Sequence, residues 1–320
     1  MRNLLVCGIA ALLLAPANLK ANEREITVPS GSKFFLHVDL RAFQGTKLGA
    51  RLFEMARREA MRELRNDGKR DEYEQMKEML GFDPFNELEA LTVVGSSFEN
   101  PEDRVQLVLT MKKTTGNLEE IAKDLPNYSS SEYEGHAIHS ATGDDNDRIY
   151  AAVHTDRNDR KRVVAARQLE DIRLMLDTLD GVSRRQAPAV KLALSDSSLL
   201  HMELLEMPKK TRGPHAAAAK MLERVRLKVA SADNELLLSV VLKTAEEKQA
   251  KRVRQMVQGL LAMAQLIEDD DAELRKAQEF LEQIEVKRKG REVRIRITVP
   301  EAEIIDLIEQ NMDVSIGSDN

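Results

Sequence analysis

Tryptophan is absent, cysteine occurs once, at Cys7, and aromatic residues make up only 4% of the 320 positions. A single cysteine excludes a disulfide-stapled scaffold. The shortage of aromatics removes the stacking platforms on which single-stranded nucleic acid is usually held. The longest apolar run, near Leu4 to Ala15, is well short of the ~20 residues that a spanning helix needs. Also missing are a Gly-x-Ser-x-Gly nucleophile elbow and the glycine-rich loops that cradle phosphates. What remains is 42% hydrophobic and 32% charged, with a formal charge of −6. That balance belongs to a folded chain, its length suits roughly two domains, and its mild acidity gives no bulk attraction to nucleic acid or anionic membrane.

The N-terminus sets the expected destination. Arg2 precedes the apolar run, and small residues with cleavage-site character follow at Ala17 and at Leu19-Lys20-Ala21. A positive start, a short apolar core and a small-residue exit predict an export signal peptide over residues 1–21. Cleavage after Ala21 would remove Arg2 and Lys20, leaving 46 of the 48 basic residues against 54 acidic ones, a formal charge of −8, and would also remove Cys7. Periplasmic or extracellular residence follows, without thiol chemistry or disulfides.

The remaining chain reads as α+β: two tandem split β-α-β (ferredoxin-like) modules, 22–182 and 189–313. Antiparallel sheets are covered by helices, and the second module has a long helical hairpin. In the first module, strands are expected at Lys33–Leu40, Ala90–Ser97, Arg104–Lys112, Glu132–Ala141, Arg148–Thr155 and near Val163. Helices are expected at Thr46–Leu64, Leu118–Leu125 and Gln168–Leu179. The second half repeats the order. A strand Leu199–Met207 and an Ala-rich helix at Pro214–Leu222 precede a strand pair over Leu227–Thr244, and Glu132–Ala141 finds its counterpart in Glu285–Ile297. Asp180 to Pro188, with Gly, Ser and Pro, reads as the junction.

The turn Val28-Pro29-Ser30-Gly31 before a strand reading FLHVDL, the helix stop Gly81-Phe82-Asp83-Pro84 and the strand LTVVG at Leu91–Gly95 resemble a class of exported bacterial proteins of the planctomycete and relatives type. The resemblance covers roughly residues 28–180. It rests on turn and core positions, so it implies neither an activity nor site residues.

Between Ala245 and Ile267 the apolar positions Ala250, Val253, Val257, Leu260, Ala264 and Ile267 recur at steps of three and four. This is the seam of a coiled coil or helix hairpin, with a second arm at Ala272–Ile284 after the Asp269–Asp271 run. Two uses are open. The seam covers its own sheet, or it joins a second copy of the chain through Val253, Val257 and Leu260.

Candidate chemistry is sparse. His136 and His139 lie three apart on a strand and so face opposite sides, which prevents both from reaching one ion. A site combining either with His154 is the basis of an alternative reading as an envelope metal-assisted hydrolase. Asp144 to Asp147 lack calcium-loop spacing and read as a hairpin turn. No cofactor, resident metal or catalytic residue is expected. The leading candidate is a basic face: Arg294 and Arg296 alternate with Val293, Ile295 and Ile297, and Arg226 and Lys228 alternate with Leu227 and Val229. If those strands are neighbours, the four cations share one side. The expectation is thus an exported, non-catalytic binding or structural protein of the cell envelope. Its partner would be a protein or a polyanionic envelope component, and not nucleic acid.

Overall fold

The computed structural model describes residues 24–66, 77–112, 116–143, 147–182, 190–194, 197–208, 216–265 and 279–317. The expected signal peptide (1–21) lies outside them. So do most of the junction, Asp144 to Asn146 of the acidic turn, the Asp269–Asp271 run and most of the second arm of the helical hairpin.

The elements in chain order are β1 (Arg24–Val28), β2 (Phe34–Asp39), α1 (Leu40–Phe43), α2 (Lys47–Asn66), α3 (Pro84–Glu87), β3 (Leu88–Gly95), β4 (Val105–Met111), α4 (Leu118–Lys123), β5 (Ser129–Tyr133), β6 (His136–Thr142), β7 (Arg148–Thr155), β8 (Lys161–Ala166), α5 (Leu169–Leu179) and β9 (Val190–Leu194). They continue with β10 (Ser198–Leu204), α6 (Ala216–Ala219), β11 (Leu222–Ala232), β12 (Glu235–Thr244), α7 (Glu247–Gln265), β13 (Glu285–Lys289), β14 (Glu292–Pro300) and α8 (Glu301–Gly317). The fold is mixed α+β, dominated by antiparallel sheet. The chain divides into two compact units, and β9 belongs to the first of them because it pairs with β1.

In the first unit the strands run β2-β3-β4-β8-β7-β6-β5, with every neighbouring pair antiparallel. Alternation along β2 buries Phe35 on one face and Val38 on the other. Asp39 ends the strand and caps α1, its Oδ1 accepting from the Ala42 amide at 2.7 Å. Helix α5 presents Ile172, Met175 and Leu176, all essentially inaccessible, and lies against β4, β7 and β8. It ends as its sequence demands. Gly181 takes a left-handed φ of 74°, and the amides of Val182 and Gly181 bond back to the carbonyls of Asp177 and Thr178.

In the second unit the order is β10-β11-β12-β14-β13, again antiparallel throughout. Asp233 and Asn234, with φ of 54° and 64°, form the kind of two-residue turn whose twist matches a hairpin. That turn sets the β11–β12 register. Helix α7 covers the apolar side: Ala250 and Val253 are buried with Val293, and Leu222, Leu242, Val257 and Val286 pack around them. Val253 therefore sits in the core of its own unit, as a sheet-covering helix requires. Of the seam residues named for self-association, Leu260 alone is strongly exposed, at 59%.

The pairing departs from the ferredoxin-like expectation. A split β-α-β unit inserts a strand between the two that a helix connects, yet β2 and β3 lie side by side, as do β10 and β11. Only β12 and β13, with β14 between them, are split in that way. The sequence reading also missed α8, whose apolar residues carry little periodicity, and the β1–β9 pair.

Candidate functional site

The registers of the second unit settle which side each cation occupies. Arg226 on β11 is opposite Val241 on β12, which is opposite Arg294 on β14. One pleat along, Lys228, Ser239 and Arg296 form the next row. Directly paired residues share a face, so all four predicted cations lie on one side of the sheet, opposite the side on which α7 packs. The same face continues in Lys287 opposite Arg294, and in Arg224 and Lys243 one row on.

These cations are not equivalent. Glu203 on β10 pairs with Arg226 and is fully buried. Its Oε1 accepts from Arg226 Nη2 at 3.0 Å and its Oε2 from Arg226 Nε at 3.2 Å, the two-point geometry in which guanidinium and carboxylate match best. Arg224 Nη1 stands 3.4 Å from Oε1, and His201 Nε2 3.4 Å from Oε2. Burial pushes the Glu203 carboxyl up, but His201 and the Arg226 and Arg224 charges outweigh it and hold the group at about 2. Burial also lowers the pKa of His201, against the pull of Glu203. The Lys228 ammonium is lowered by burial first and by Arg226 second.

Toward β13 the face opens. Arg294 is 46% exposed and has only a loose approach to Glu292, at 3.8 Å. Arg296 is exposed and makes no hydrogen bond or ion pair among the described residues, while Lys287 pairs with Glu285. Arg294, Arg296, Lys287 and Lys289 border a shallow cavity of about 470 Å³ that Arg254 of α7 also lines. The geometry thus separates an inner group, Arg226 and Lys228, bound up with Glu203 and His201, from a more exposed outer group, Arg294 and Arg296, whose cavity Glu285 and Glu292 also line.

Sequence reasoning missed Glu203 and His201. The signal was there: in LLHMELLEM the alternation puts His201 and Glu203 on one side, but only the β10–β11 pairing shows that this side is the basic one.

The predicted histidines divide as their spacing requires. His136 Nε2 and His154 Nε2 lie 2.9 and 3.0 Å from the two oxygens of Asp180 at the end of α5, with rings 5.6 Å apart. His139 occupies the other face, where Tyr128 Oη lies 2.9 Å from its Nδ1. Burial, more than the neighbouring charges, lowers the pKa of His154. Among the described residues no group of three or more potential ligands is placed to hold a metal ion, and no helix is long and apolar enough to cross a membrane.

No protein-family model and no curated protein matches the sequence. Solved structures of TP0453 resemble the chain distantly. Crystal form III is 11% identical with a TM-score of 0.41, covering 88% of this chain and 96% of that one. Crystal form I is 10% identical with a TM-score of 0.38, covering 88% and 95%. Likeness of this degree carries no argument about activity or partners.

Proposed function

We propose that the chain is an exported, non-catalytic binding protein of the cell envelope whose second unit engages a polyanionic envelope component through its basic sheet face. The observation that supports this reading is the placement of Arg294 and Arg296 in the same cross-strand rows as Arg226 and Lys228, one strand apart across β12 and on the side of the sheet opposite α7. Arg226 and Lys228 act as the fixed base of the face, and Arg294 and Arg296 supply the contacts. Export rests on the N-terminal signal pattern and on the resemblance carried by the 28–180 motifs. A bacterium that is mostly anionic outside would offer such a face acidic glycans or anionic headgroups.

The two units are versions of one module. If β5 and β6 are set aside as an added outer hairpin, the order β2-β3-β4-β8-β7 matches β10-β11-β12-β14-β13. Both units then read strand, helical segment, two strands, helix, two strands, helix, the helical segment holding α1, α2 and α3 in the first unit and α6 in the second among the described residues. On this alignment the counterpart of β13–β14 is β7–β8 rather than the Glu132–Ala141 segment.

The test is retention of the purified full chain on a sulfated polysaccharide such as heparin, used as a model polyanion, at rising salt. Binding that weakens steeply between low and physiological ionic strength supports the reading, because exposed charges are screened within about 10 Å at 0.1 M. Absence of binding at low salt contradicts it.

A further inference from the structure

The first unit contains a cavity of about 230 Å³ whose lining is divided by polarity. Its floor is sheet. Asp39, Ala90, Thr110 and Arg162 form one cross-strand row, and His37, Thr92 and Val108 the next. Its cover is apolar, with Met175 and Leu179 from α5 and Ile26 and Leu194 from the β1–β9 pair. Cavities of this build, an apolar wall facing a few fixed polar groups, are where proteins hold small ligands.

The hydrogen-bonding inventory decides what sign of ligand fits. The acids nearby are occupied. Glu89 accepts from Arg41 at 3.0 Å, and Asp39 caps α1. Asp156 accepts from the amides of Asn158 and Arg160 and from Arg162. The donors are not. Arg162 spends one Nη2 contact on Asp156, 3.1 Å away, leaving the rest of its fork unbonded. The Arg160 guanidinium makes no hydrogen bond or ion pair among the described residues, and both arginines line the cavity. Five N–H donors in a planar fork match a carboxylate with two parallel bonds. The geometry points to a binding site for a small organic carboxylate, its anionic group held by Arg160 and Arg162 with the Thr110 hydroxyl nearby, and its short apolar body against Met175, Leu179 and Leu194. All the lining residues belong to the first unit.

Titration calorimetry on the full chain tests this with butyrate, acetate, inorganic phosphate and n-butanol as probes. Butyrate is expected to bind more tightly than acetate or phosphate, and butanol not measurably. The variant Arg160→Ala removes an exposed side chain that makes no hydrogen bond or ion pair among the described residues, and should weaken butyrate binding at least tenfold with an unchanged circular dichroism spectrum. Arg162→Gln should do the same, and Lys251→Glu, at an exposed position of α7, should leave butyrate binding as it was. The proposal is overturned if butanol binds as well as butyrate, if phosphate binds as tightly as butyrate, or if Arg160→Ala binds butyrate unchanged.

Discussion

Both carboxylate oxygens of Glu203, a fully buried side chain on β10, accept hydrogen bonds from Arg226 on β11 at 3.0 and 3.2 Å. The pair is asymmetric, because the Arg226 side chain remains 35% exposed. Removing one partner of a buried pair strands the other, and the penalty follows the one left without water. Arg226→Ala leaves a buried carboxylate without its two-point partner, with Arg224, His201 and Lys228 as the remaining neighbours, and should cost about 3–5 kcal/mol. Glu203→Gln leaves cations that solvent still reaches and keeps the shape, so about 1–2 kcal/mol is expected. Urea unfolding of both variants checks the order. Equal losses would show that burial does not set the two partners apart.

Acid should destabilise the protein in two stages. His154 and His201 have folded pKa values lowered by burial, so the folded state binds fewer protons than the unfolded one. Their stabilising share is present above the unfolded value near 6.5 and is lost as pH falls below it. Glu203 follows lower down. Its stabilisation is complete above the unfolded value near 4.5 and disappears as pH approaches about 2. Asp171 has the opposite sign: burial raises it despite Arg104 at 3.2 Å, so its protonation favours the fold. The urea midpoint should therefore fall between pH 7 and 5, and His154→Phe should flatten that part of the curve. A midpoint constant from pH 7 to 5 would contradict the assignment.

Helix α7 separates a packed side from an open one. Val253→Ala removes methyl groups from the cluster with Ala250 and Val293 and should cost about 1–3 kcal/mol. Leu260→Ala, at an exposed position, should change stability by no more than about 0.5 kcal/mol. If Leu260 instead joins two copies of the chain, its substitution will lower the sedimentation coefficient at high concentration, which a sheet-covering role does not predict.

At Gly95 a Cβ would lie 2.0 Å from the Phe34 ring, and that ring is itself stacked on Phe98 at 5.7 Å between centroids. Gly95→Ala must displace Phe34 and should cost about 1–3 kcal/mol. A thermal midpoint equal to that of the parent would show that the ring moves freely.

Period and turn chemistry were legible before any coordinates. The apolar alternation of Leu227–Thr244 identified two strands, and the step pattern from Ala250 identified a helix, because both signals come from burial on one face. The side on which Arg226, Lys228, Arg294 and Arg296 lie was legible strand by strand. Their alignment in shared rows across β12 was not, since register is a relation between segments tens of residues apart. The ferredoxin-like assignment went astray for the same reason: element order does not say which strands pair. Likewise Glu203 was visible as a residue but not as the partner of Arg226. The cavity of the first unit that Arg160 and Arg162 line draws on β1, β2, α1, β3, β4, β8, α5 and β9, and no local pattern announces it.

The central claim is that position on the second unit's basic face, and not overall charge, governs binding. The direct measurement compares two doubly reversed variants of equal net charge: Arg294→Glu with Arg296→Glu on the face, and Lys251→Glu with Arg252→Glu on exposed positions of α7. Affinity for heparin at low salt should fall at least tenfold for the first and less than threefold for the second. Equal losses in the two variants would contradict the account.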